Sequence, residues 1–193
     1  MKKFELTNEF VTNMFGTKLF RIRALVEFGD VEAGELGGYV EKESNLGHDD
    51  NAWVYGDAQV SGDALVYGNA RVYDNAWVYG NAWVYGNARV CGDALVCGDA
   101  LVCGNARVCS DEDYAYAHGF GSVNRTTTFF RLKDGGVGVR CGCFYGTLAQ
   151  FRDKIRETHG ETKKAQEYLM LADLMELRFE EDENEVGNRK YVE

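Results

Sequence analysis

The sequence predicts a mainly β protein organised around a parallel β-helix solenoid, and three observations carry that expectation. From Ala52 to Asp111 the chain repeats A-x-V-x-G-[DN] ten times without a slip. Six residues are too few for a helical hairpin or a propeller blade, but they fit one short strand and one tight corner. The residue types suit that division. Valine is β-branched and points inward, alanine fits a crowded bend, and Gly followed by Asp or Asn tolerates the left-handed backbone of a corner. Glycine precedes the closing Asp or Asn in eight of the ten units, with Asp74 and Ser110 as the exceptions. Three units make a triangular coil of 18 residues, and such coils are stabilised mainly by their neighbours.

Stacking places residues 18 apart in columns. One face carries Trp53, Arg71, Arg89 and Arg107, flanked by Tyr55, Tyr73, Cys91 and Cys109. The second carries Gln59, Trp77 and Leu95 beside Ser61, Tyr79 and Cys97, and the third Leu65, Trp83 and Leu101 beside Tyr67, Tyr85 and Cys103. One corner is a column of Asn69, Asn87 and Asn105. The second and third faces are apolar beyond what the helix itself buries, which marks an interface. Trp77, Tyr79, Leu95, Leu65, Trp83, Tyr85 and Leu101 are therefore expected at an oligomer contact. Guanidinium groups stack on aromatic rings and bind phosphate in bidentate fashion. Arg71, Arg89 and Arg107, with Trp53, Tyr55 and Tyr73, are the candidate ligand-binding set, suited to a nucleotide or to an acidic patch on a host protein.

The flanks divide the chain into a cap segment (1–38), the solenoid (39–123) and a C-terminal unit (124–193). Lys18–Leu25 alternates polar and apolar, a strand signal. Val40 and Leu46 already keep the six-residue step, whereas Leu46 to Val54 is eight, so a two-residue insertion falls near His48-Asp49-Asp50-Asn51. After Asp111 the register is expected to decay through Tyr114 and Phe120. Asp134-Gly135-Gly136 then reads as the turn of a β-hairpin, Thr147 as the N-cap of a helix to about Thr158, and a second helix follows from about Thr162 to Phe179. Leu171, Leu174, Met175 and Leu177 are expected to form the apolar side of that second helix. Glu180–Glu185 reads as a solvated acidic tail.

The repeats Y-G-N-A-W-V and Y-G-N-A-R-V, the opening F-G-D-V-E-A-G-E-L-G-G-Y-V-E (28–41) and the later C-G-C-F-Y-G-T-L resemble the hexapeptide-repeat left-handed β-helix superfamily. Within it they are most similar to phage and prophage proteins labelled putative transferase or polymer-forming. The resemblance implies a left-handed solenoid, a homotrimer and a mobile-element origin. It also raises the activity of the superfamily's acyltransferases, which use acyl-CoA and a histidine general base. His48 and His118 are the weak catalytic candidates on that reading, while His159 suits a helix C-terminus.

Composition narrows the choice. The net charge of −10, from 21 basic and 31 acidic residues, disfavours direct nucleic-acid binding. No N-terminal signal pattern and no membrane-length apolar run are visible, so a cytoplasmic protein is expected. The four repeat cysteines fall on different faces and Cys141-Gly142-Cys143 lacks a second ligand pair, so no metal site is expected and all six thiols are read as reduced. No Ser-His-Asp or Cys-His arrangement stands out, and no cofactor is implied. The expectation is a non-enzymatic, oligomeric phage-type binding protein, a counter-defence protein that sequesters a nucleotide signal or blocks a host protein. The alternatives are a hexapeptide-repeat acyltransferase and a structural assembly element.

Overall fold

The computed structural model describes residues 2–121 and 124–180; most of the acidic tail lies outside them. Every hexapeptide forms one two-residue strand, and the strands sort into three parallel faces. β4 (Trp53–Val54), β7 (Arg71–Val72), β10 (Arg89–Val90) and β13 (Arg107–Val108) make the first face. β5 (Gln59–Val60), β8 (Trp77–Val78) and β11 (Leu95–Val96) make the second, and β6 (Leu65–Val66), β9 (Trp83–Val84) and β12 (Leu101–Val102) the third. Partners lie in register 18 residues apart, as with Arg71, Arg89 and Arg107. The ten repeat valines are fully buried and the alanines at most 2% exposed, so the interior is a stack of alternating Val and Ala layers.

The corners explain the Gly-[DN] signature. Gly86 adopts φ +70° and lies so close to the next coil that a Cβ would stand 3.0–3.1 Å from the backbone of Gly104 or its equivalent neighbours. Asp74 replaces the glycine in its unit and takes the same conformation, φ 60°, while its carboxylate accepts the Gly92 amide of the next coil at 3.0 Å. Ser110, the other exception, is extended at φ −148°. That corner is not turned, and the chain leaves the solenoid.

This departure corrects the expected register beyond Asp111. β14 (Tyr114–Phe120) does not continue the coil. It pairs antiparallel with β15 (Arg125–Arg131), which pairs with β16 (Val137–Cys141), which pairs with β17 (Phe144–Thr147). The C-terminal unit thus has four strands among the described residues, where a single hairpin was expected. Helices α1 (Leu148–His159) and α2 (Lys163–Phe179) follow, each begun by the expected threonine cap: Thr147 accepts the Gln150 amide and Thr162 that of Ala165. α1 buries Leu148, Phe151 and Ile155 against Phe129 and Val139. α2 buries Ala165, Tyr168, Ala172, Met175 and Phe179, a strip rotated from the expected one, and Leu174 and Leu177 face outward. The large rings of Tyr168 and Phe179 fill the gap beneath the sheet and set the helix's rotation.

Side chains close both ends of the solenoid. At its start, β1 (Phe4–Thr12) and β2 (Lys18–Ala24) form an antiparallel hairpin. β3 (Leu36–Val40) joins it to the second face by parallel pairing with β5. The buried Asn45 side chain donates to the carbonyls of Gly62 and Ala64, and the Lys3 ammonium donates to those of Asp50 and Ala52. At the other end the free amides of Leu95, Cys97 and Leu101 are taken by Asp111, Tyr114 and Thr128. Asp113 accepts from Cys109 and Ser110 and meets Arg131 at 3.4 Å, tying the C-terminal sheet to the last coil.

Candidate functional site

The first face holds an open groove of about 350 Å³. Arg71, Arg89 and Arg107 form its floor and the asparagine corner one rim. Strands repeat at about 4.8 Å, so three guanidinium stems stand in register one coil apart. Like charges directly opposite on paired strands repel one another, and the surroundings determine whether that repulsion is relieved.

Relief is uneven along the column. Arg71 is held by Asp30 of the β2–β3 connection through two hydrogen bonds of 2.7 and 2.8 Å, and its guanidinium lies 5.9 Å from the Tyr55 ring centre. Tyr55 donates its hydroxyl to the same carboxylate, and burial pushes its pKa up to about 12, against the pull of the Arg71 charge. The Arg89 side chain, exposed in the middle of the groove, makes no hydrogen bond or ion pair among the described residues. The neighbouring corner cannot help. Two corners of the solenoid carry carboxylates, Asp57, Asp93 and Asp111 on one and Asp63 and Asp99 on the other, whereas the corner beside the arginines is Asn51, Asn69, Asn87 and Asn105. These amides hydrogen-bond from coil to coil at 3.2–3.3 Å.

The structure brings together the three arginines of the sequence-derived set but separates the aromatics from them. Trp53 is fully buried, with Phe4 and Phe28 edge-on at 6.1 and 5.3 Å, and belongs to the core; the N-terminal segment covers its coil. Tyr55 and Tyr73 are half-buried on the far side of the arginine column and do not line the groove. In their place Lys133, at the end of the β15–β16 turn, closes the groove, held by a backbone bond from its amide to the Asn105 carbonyl. Sequence reasoning missed Lys133 because its approach depends on how the C-terminal sheet docks.

The histidines have structural partners. His48 accepts the Lys3 amide at Nδ1 and donates from Nε2 to Glu43 at 2.8 Å, with its ring stacked on Phe4. The Lys2 ammonium, and behind it His48, hold the Glu43 carboxyl below its ordinary range. His118 meets Thr126 at 2.8 Å and Asp99 at 3.8 Å through the same nitrogen, Nδ1, so these groups do not form a hydroxyl–imidazole–carboxylate relay. His159 stacks on Tyr168.

Among the expected interface residues, Trp83 and Leu95 are exposed (43% and 37%), and Trp77, Leu65 and Leu101 are half-buried. Tyr79 is covered by Phe15 of the N-terminal hairpin, and Tyr85 stacks face to face on Tyr67. Cys91 and Cys109, in register with Cα atoms 4.3 Å apart, are joined as a disulfide, which corrects the reduced-thiol expectation for that pair; the other four thiols are free. No described helix is long and apolar enough to cross a membrane.

Comparison with known proteins supports the architecture. Residues 58–72, 66–80, 70–86 and 82–98 match the YdcK beta solenoid repeat, covering the central coils. No curated protein matches the chain. The repeat match and the coil-by-coil register agree: this is a β-solenoid repeat protein.

Proposed function

We propose that this chain is a non-enzymatic binding protein whose arginine groove takes a phosphate-bearing small molecule, with a nucleotide as the preferred class. The observation that carries this reading is the column of in-register arginines beside a corner built only of asparagines. A phosphate relieves the repulsion that the protein's own carboxylates relieve only at Arg71, and guanidinium groups match phosphate oxygens in bidentate geometry. The engagement of both His48 nitrogens supports binding over acyl transfer. The YGNAxV repeats, which resemble phage and prophage proteins, suggest a counter-defence role in the host cytoplasm, in which the protein sequesters a nucleotide signal. The exposed Trp83 and Leu95 support assembly into a homotrimer.

The test is to mix purified protein with a panel of linear and cyclic nucleotides, follow depletion from solution, and recover the bound fraction after denaturation. The expected result is depletion of at least one nucleotide, its recovery intact, and affinity about 10- to 100-fold weaker in Arg89→Ala. Recovery of a hydrolysed product, or no depletion of any nucleotide, would refute the proposal.

A further inference from the structure

The arginine groove continues past Arg107. Beyond Asn105 and Lys133 a second open cavity of about 520 Å³ begins, and these two residues line both. The remaining walls of the second cavity are Leu132, Asp134 and Tyr145. The two halves differ in chemistry: guanidinium and amide groups in one, an aromatic ring, an aliphatic side chain and a carboxylate in the other.

Each part of the second half is held in place. The Tyr145 ring stacks nearly parallel on the buried Phe130, with centroids 6.5 Å apart, yet remains 44% exposed. Its hydroxyl lies where a Cβ on Gly104 would be, so the repeat's corner glycine makes room for it. A ring fixed in this way loses little freedom when a second ring lies on it. Asp134 uses Oδ1 to accept the Gly136 amide at 3.2 Å, and among the described residues Oδ2 has no partner. Leu132 is anchored by its bridge to Ala106 of the last coil.

The asparagine ladder gives the junction a polarity. Asn51 donates to Asn69, Asn69 to Asn87 and Asn87 to Asn105, so the amide dipoles align and the donor end of the ladder is Asn105. Aligned hydrogen bonds polarise one another, and this end lies beside Lys133, where the two cavities meet.

Resting on the reading of the groove as an anion site, we infer that the two cavities form one bipartite nucleotide site. The phosphates lie along Arg89, Arg107 and Lys133, the base stacks on Tyr145, and Asp134 accepts from the ribose hydroxyls or a base amine. The order of charges favours this class of ligand. An inorganic oligophosphate uses only the first half, and an acidic peptide long enough to fill both meets the Asp134 carboxylate. A nucleotide is anionic at one end and carries hydrogen-bond donors and a flat π face at the other.

Calorimetric titration of the full chain with ATP, GTP and tripolyphosphate tests the inference. At least one nucleotide is expected to bind about tenfold tighter than tripolyphosphate. Tyr145→Ala should abolish that advantage while leaving tripolyphosphate affinity unchanged, which also shows that the variant is folded; Tyr145→Phe should keep it. Equal binding of nucleotides and tripolyphosphate, or a nucleotide advantage that survives Tyr145→Ala, overturns the bipartite site and leaves the anion groove standing. Absence of binding by all three probes, or no effect of Arg89→Ala on tripolyphosphate, overturns the anion groove and the bipartite site together.

Discussion

At the scale of single residues, the groove depends on the difference between an amide and a carboxylate. Asn87 and Asp have nearly the same shape, yet Asn87→Asp places a negative charge on the corner next to Arg89 and removes the donor that Asn87 gives to Asn105. The expected outcome is loss of tripolyphosphate binding by about tenfold or more, since one close charge pair at a partly screened surface contributes on the order of 1 kcal/mol or more, with the far-UV circular dichroism unchanged. Tyr55 gives a pH prediction. Its pKa is raised by burial from 10.0 to about 12. A group raised in the folded state adds stability that is fully present below its unfolded pKa and is lost as pH climbs through the folded one. Tyr55→Phe should therefore flatten the fall in denaturation midpoint between about pH 10 and 12, checked by chemical denaturation across that range.

At the scale of elements, one corner residue decides whether the coil continues. Gly86→Ala forces a Cβ into a left-handed corner against the next coil and should cost about 1–3 kcal/mol, read from urea denaturation. The repeat strands were legible because Val and Ala recur with a period that only one architecture satisfies, and the helix caps were legible because Thr147 and Thr162 act on neighbours three residues away. The end of the solenoid was less legible. Ser110 departs from the glycine rule just as Asp74 does, and only the fold shows that Asp74 keeps the corner while Ser110 abandons it. The arginine column could be read by counting in eighteens. The burial of Trp53 could not, because it depends on Phe4 and Phe28, whose approach no local pattern encodes. The same holds for Lys133, Asp134 and Tyr145, which reach the groove only through the docking of the C-terminal sheet.

At the scale of the whole molecule, the two capped ends argue against growth by end-to-end stacking. An open terminal coil presents unpaired strand edges, which template aggregation. Here Asn45 and Lys3 cover one end, and Asp111, Tyr114 and Thr128 the other. The Asp113–Arg131 contact holds the second cap, and both residues are buried. Asp113→Ala leaves a buried guanidinium without this carboxylate and should destabilise the protein by about 3–5 kcal/mol. Light scattering of that variant near its unfolding midpoint should report larger species than the parent forms at the same fraction folded; identical scattering would assign the cap no protective role.

The separation of repeat from caps has a consequence for inheritance. Each coil is a self-contained segment of 18 residues whose neighbours on either side present the same valine, alanine and glycine surfaces. In-frame duplication of residues 70–87 would leave both lids and the nucleobase pocket as they are. It would add one more arginine rung, lengthening the cationic track by about 4.8 Å. The molecule is in this sense a ruler whose gradations can be gained or lost by recombination between its own repeats, so that related genes could tune the length of the anion they measure without redesigning either end.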